Sequence, residues 1–122
     1  RAKAAIFSAI NIMLSSLYMD VSVLSHVYVA GGIGSGINME NAVRIGMLPD
    51  IDRALFEYLG NTSLSGAYAM ARSDCAVQKV DELASNMTYM ELSTNPRYMD
   101  EFVAACFLPH TDRALFPSSI QE

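Results

Sequence analysis

Residues 26–43 read HVYVAGGIGSGINMENAV: an apolar run, four glycines within six residues, then a polar stretch shaped like a helix start. The run from Leu24 to Ala30 carries β-branched Val27 and Val29 and stops at glycine. A short continuous apolar run bounded in this way predicts a strand buried on both faces, as in a parallel sheet. After the glycines, Asn38 is placed to accept from the first free amides of a short helix, and Glu40 suits its positive N-terminal end. Gly46 supplies a left-handed cap and Pro49 stops continuation. Bare backbone between a strand and a helix makes a tight turn, a phosphate or nucleotide site, or both.

Working outward, the same pattern recurs. Ala54 to Leu59 can form a strand, although Arg53-Ala54-Leu55-Phe56-Glu57 also suits a helix and so short a run leaves both open. Gly60-Asn61 turns the chain, and Asn61 or Thr62 caps a helix through Arg72. That helix is built from small residues, among them Ser63, Ser65, Gly66, Ala67, Ala69 and Ala71, which allow close approach to a sheet or a ligand. Upstream, Ile6, Ile10, Met13, Leu14 and Leu17 form one apolar stripe at helical spacing. Downstream, a helix from about Asp74 to Ser85 has Val77, Val80, Leu83 and Ala84 as its inner face, and Thr88 to Leu92 alternates like a strand. Asn95-Pro96 marks a helix start, and Tyr98, Phe102, Val103 and Cys106 carry that helix to Pro109. Residues 1–109 read as one lobe and 110–122 as a tail. The pentapeptide Asp-Arg-Ala-Leu-Phe occurs at 52–56 and again at 112–116; without flanking similarity it reads as coincidence. Alternating helices and short strands predict an α/β fold with a small sheet flanked by helices.

Composition narrows the partners. The 122 residues fit one domain, and 52% are hydrophobic while 17% are charged, against an average charged share of about 25%. No run approaches the roughly 18 apolar residues of a membrane span, and no signal peptide is recognisable. The excess apolar surface predicts a covering partner, another domain or a second copy in a homodimer. With a helix under way at Arg1 and no initiating Met, the chain reads as a fragment. A net charge of −5 with scattered Lys and Arg argues against nucleic acid. Cys75 and Cys106 lie 31 positions apart with no ligand-like spacing, so neither a disulfide framework nor a metal site is predicted. Cys106, inside an apolar stretch, reads as a buried thiol, and a reducing cytoplasm is the expected compartment. His26 and His110 have no partner motif, while Asp50, Asp52 and Asp112 read as capping or solvated acids.

Three glycine-loop chemistries compete. A P-loop is excluded because no lysine lies between Lys3 and Lys79 to reach terminal phosphates. A dinucleotide fingerprint begins at Gly32-Ile33-Gly34, but its third glycine position holds Ile37. The remaining chemistry is a pair of strand–glycine–helix units whose backbones lie against a nucleoside with helix N-termini toward phosphate; two such units exist, at Gly31-Gly32 and Gly60-Asn61. Tight turns with no ligand account for the same spacing equally well.

The ordered combination of VYVAGGIGSGINMENAVRIGMLPD, LGNTSLSGA and YMELSTNPRYMDEFVAACFLPHTD resembles the C-terminal region of the ATP-dependent reductive activators of corrinoid proteins. These are iron–sulfur proteins with an ATPase domain of the acetate and sugar kinase, heat-shock 70 and actin type. The resemblance covers nearly the whole chain and implies the C-terminal subdomain of an actin-like (ribonuclease H-like) fold. It implies nucleotide contacts at Gly31, Gly32, Gly34, Ser35 and Gly36 in the first turn, and at Gly60, Asn61, Thr62 and Ser63 in the second. It further implies ATP with Mg as ligand of the full-length protein and a [2Fe–2S] cluster in an N-terminal region. The expected partners are the rest of the ATPase domain and a corrinoid protein of a methyltransferase system. That corrinoid would be returned from cobalt(II) to cobalt(I). No Cys-rich stretch follows residue 110, which implies the branch with an N-terminal cluster. No residue is marked as catalytic, and the fragment alone is expected to be inactive. Two alternatives remain at this point: a nucleotide-independent docking module for a corrinoid methyltransferase system, and a lobe of a small-molecule kinase of the same superfamily.

Overall fold

The computed structural model describes residues 1–119. Helix α1 spans Ala2–Ser16. A 3-10 turn at Val21–Val23 follows, capped by Asp20, whose carboxylate accepts from Ser22 N. Strand β1 is Val27–Ala30 and β2 is Phe56–Gly60; they pair in parallel. A parallel pair needs a crossover connection, and residues 31–55 provide it with a 3-10 turn at Gly32–Gly36, helix α2 (Met39–Arg44) and a 3-10 turn at Arg53–Leu55. Helices α3 (Thr62–Arg72) and α4 (Asp74–Ser85) then form a hairpin, and α5 (Tyr98–Ala105) returns to pack on α1.

The core lies between α1, α2, α5 and the segment after α5. Ala4, Phe7, Ala42, Val43, Leu48, Ala105 and Phe116 form one buried cluster. The Phe7 ring meets that of Phe116 at 5.0 Å between centroids and packs edge-on to His110 at 5.5 Å. Residues 110–119, expected as a tail, are therefore part of the packing: Phe116 is fully buried and His110 nearly so. His110 earns its place through two bonds, since Asp112 N–H donates to Nδ1 at 2.9 Å and Nε2 faces Glu101 Oε1 at 2.9 Å. Lys3 is also buried; its ammonium donates to the carbonyls of Phe107 and, at 2.8 Å, Pro109. That desolvation lowers its pKa below the usual lysine value, with a coulombic contribution from Cys106 acting in the opposite direction. Gly46 is left-handed as expected, φ +80°, and a Cβ there would stand 2.2 Å from the Pro109 carbonyl oxygen. Its missing side chain thus serves close approach as well as the cap.

Several sequence expectations change. The α1 stripe is real, but Ile10, Met13, Leu14 and Leu17 line an open apolar groove of about 280 Å³ with Leu24, His26, Val27 and Pro49. The buried face is instead Lys3, Ala4, Phe7, Ser8 and Ile12, and Ile6 is exposed. Periodicity identifies an apolar face without saying which partner covers it. Strand β1 is shorter than the apolar run and alternates between half-buried and exposed residues, because among the described residues it has one neighbouring strand. Residues 88–92 are not a strand; with no ladder partner among the described residues, the chain passes into a 3-10 turn at Leu92–Thr94 capped by Glu91. Asn95 accepts from Arg97 N at 3.0 Å in a turn, and α5 starts only at Tyr98. Cys106 falls just beyond α5 and is exposed, as is Cys75.

The repeated pentapeptide also proves structural. At both copies the Asp carboxylate accepts from the Ala amide two residues on, at 3.0 Å for Asp52 and 3.1 Å for Asp112, opening a 3-10 turn over Arg-Ala-Leu. Asp52 and Asp112 are caps, as expected. Asp50 is neither cap nor solvated: its buried carboxylate takes Arg53 Nη1–H at 2.9 Å and Ser118 N–H at 2.8 Å. Arg53 also reaches Glu40 at 2.8 Å, tying α2 to residues 50–53 and 118. Burial works to raise the Asp50 pKa, but those hydrogen bonds outweigh it and hold the carboxyl below its ordinary range.

Candidate functional site

The two glycine turns meet at the C-terminal end of the parallel pair. Register runs Val27↔Phe56, Tyr28↔Glu57, Val29↔Tyr58, then jumps so that Ala30 faces Gly60. The jump leaves Leu59 as an extra residue in β2, a bulge that lets both strands finish level. Gly31 N–H then donates to Gly60 O at 2.8 Å, closing the first turn onto the second. Both residues are left-handed, φ +96° at Gly31 and +75° at Gly60, which only glycine adopts without strain.

What surrounds each glycine separates two roles. A Cβ added at Gly31, Gly32, Gly36 or Gly60 would meet nothing within 4 Å, so these bends are open. At Gly34 it would stand 2.7 Å from the Tyr58 ring and 3.0 Å from Val29, so Gly34 is bare because the 3-10 segment folds back onto the sheet. Ser35 is exposed and its hydroxyl donates to Gly32 O at 2.7 Å, bracing the loop. Asn61 caps α3 by accepting from Leu64 N at 3.1 Å. Thr62 and Ser63 form the exposed first turn of α3, which contains no acidic side chain. A helix start of that kind leaves amides and positive dipole available to an anion. Asn38 caps α2 in the same manner, accepting from Asn41 N at 3.0 Å.

Sequence reasoning missed Tyr58. Its ring lies against Gly34 and its hydroxyl donates to Gly31 O at 2.9 Å, so one side chain of β2 meets the first turn at two points. The only hint was its alternation with Phe56 along the strand. The apolar groove beside α1 contains none of these residues. Among the described residues no three of His, Cys, Asp or Glu converge as a metal site, and no helix is long and apolar enough to cross a membrane.

A parallel strand pair with glycine turns level at its C-terminal end, flanked by helices, is the architecture of an actin-like subdomain. The chain belongs to the family described as the C-terminal domain of RACo, the ASKHA domain, which matches residues 1–120. It superposes on a solved structure named "Reductive activator for corrinoid,iron-sulfur protein" with a TM-score of 0.90 and 48% identity, covering 96% of this chain and 19% of that one. It is also 27% identical over 104 residues to the corrinoid activation enzyme RamQ of Eubacterium limosum, covering 84% of this chain and 17% of that protein. The chain thus spans less than one fifth of either relative.

Proposed function

We propose that this chain is the nucleotide-binding C-terminal lobe of an ATP-dependent reductive activator that returns a corrinoid protein from cobalt(II) to cobalt(I). One observation carries the nucleotide reading. The two turns are joined by the Gly31–Gly60 hydrogen bond, and added side chains at Gly31, Gly32 and Gly60 would enter empty space. Backbone that needs no side chain for its own packing, at the carboxyl end of parallel strands, is where α/β folds take up nucleotides. In this reading Gly31, Gly32, Gly36 and Gly60 make room for the nucleoside, Ser35 lines the loop, and the α3 start at Thr62 and Ser63 faces phosphate. Gly34 supports them from below, and Asn61 holds the helix start in place. Bound ATP with Mg would supply the free energy for an unfavourable one-electron reduction. The electron would come from a [2Fe–2S] cluster elsewhere in a cytoplasmic full-length protein, whose remaining ATPase domain closes the site.

The test is calorimetric titration of the full-length protein with ATP and Mg, together with optical detection of cobalt(I) in a reduced corrinoid partner. Gly31→Val should abolish nucleotide binding and stop cobalt(I) formation. Reactivation that proceeds without ATP sinks the mechanism. A second reading, a docking module indifferent to nucleotide, draws on the exposed Leu64, Tyr68 and Leu83 of the α3–α4 hairpin. It requires that Gly31→Val leave reactivation at the wild-type rate.

A further inference from the structure

Gly31 is held from both sides by β2. Its N–H donates to Gly60 O at 2.8 Å, and its carbonyl accepts from the Tyr58 hydroxyl at 2.9 Å. The Gly31–Gly32 peptide is trans, and in a trans peptide the N–H points opposite to the C=O. The bond that fixes the Gly31 carbonyl therefore also fixes the direction of Gly32 N–H. A glycine at φ +96° has no side chain to restrict rotation about this peptide, so the orientation must come from a partner. Tyr58 can supply it because its own ring is seated, with Gly34 against one side and Val29 as its register partner on the neighbouring strand. The hydroxyl is thus carried on a braced arm rather than a free one.

We propose that Tyr58 is a positioning residue for the nucleotide site: through the Gly31 carbonyl it aims Gly32 N–H into the open turn as a donor to bound nucleotide. The proposal rests on the nucleotide reading of these turns. It deepens that reading by naming a donor that no side chain provides and the residue that orients it. Tyr58 itself need not touch the ligand.

The experiment compares Tyr58→Phe, which removes the hydroxyl and keeps the ring against Gly34, with the full-length wild type. Tyr28→Phe is the control, since Tyr28 lies on β1 with its ring stacked on His26 rather than on the glycine turn. Affinity for Mg and the non-hydrolysable analogue AMP-PNP is measured by calorimetry, beside thermal midpoints. Tyr58→Phe should bind about three- to tenfold more weakly, the effect of one net hydrogen bond, at an unchanged midpoint. Tyr28→Phe should bind as wild type does. Equal affinity in Tyr58→Phe, or a loss matched by a fall in the midpoint, overturns the positioning role while the turns keep their ligand. Wild type that fails to bind AMP-PNP overturns the nucleotide reading and Tyr58's role with it.

Discussion

The two parts of this small lobe are held together by different physics. In the part built from α1, α2, α5 and residues 109–119, Phe7, Val43, Ala105 and Phe116 are essentially inaccessible to water. In the stretch 61–89, by contrast, no residue is buried and only Ala76 and Val77 are half-buried. The α3–α4 hairpin exists through local signals instead: Asn61 caps α3, and Ser73 caps α4 by accepting from Ala76 N at 3.4 Å. Such caps stabilise a helix by roughly 1 kcal/mol each, enough to define ends but not to replace a core. Its apolar side chains Leu64, Tyr68 and Leu83 face outward, so Leu83 and Val80 do not form the inner face that the spacing of α4 predicts. One part is held by what it buries, the other by how its ends are written.

The widest separation should appear between Phe116→Ala and Leu83→Ala. Deleting the fully buried ring of Phe116 removes transfer energy and leaves a cavity, about 3–5 kcal/mol. Leu83, 66% exposed, should change stability by less than about 0.5 kcal/mol. Denaturant midpoints of the two variants would break the contrast if they fell together.

The next comparison sets two left-handed glycines against each other. Gly46→Ala meets the left-handed penalty of about 1–2 kcal/mol and also drives a methyl into the Pro109 carbonyl, 2.2 Å away. With about 1–3 kcal/mol for overpacking, the loss should reach about 3 kcal/mol. Gly60→Ala carries only the backbone penalty, since nothing lies within 4 Å of the new methyl. Its larger effect should be on nucleotide affinity. Thermal melts and calorimetry on the same pair read both quantities; a Gly60→Ala variant that binds ATP normally would show that open space at this turn has no ligand to protect.

The smallest effect is acid sensitivity of the packed part. Asp50 is held below its ordinary value, 3.8, by Ser118 N–H and Arg53 against an opposing burial effect. A depressed carboxyl stabilises the folded state fully above its unfolded pKa, and that contribution disappears as pH falls through the lower folded value. Thermal midpoints followed downward from about pH 5 should therefore drop more steeply in wild type than in Asp50→Asn. Parallel acid limbs would remove Asp50 from the account.

Local chemistry was legible from residues alone. Asn38, Asn61, Asp52 and Asp112 cap where expected, Gly46 and Gly60 adopt left-handed turns, and Asp74–Ser85 is a helix with those bounds. These features depend on atoms within a few residues of each other, so spacing suffices to read them. The resemblance carried by the three stretches in order was likewise readable, and the chain belongs to the family it pointed to.

Partnership was not legible. The apolar stripe of α1 faces a groove, residues 88–92 lack the strand their alternation promised, and the stretch after Pro109 supplies Phe116 to the core. The repeated pentapeptide shows the division most clearly: its Asp-capped turn is the same at 52 and 112, yet Phe56 enters a strand and Phe116 a core. Turn geometry is set within five residues, whereas burial is set by whichever distant surface arrives. Only the folded chain could show that Tyr58 reaches Gly31 or that Gly31 closes onto Gly60, because both contacts join segments about thirty residues apart through a parallel register.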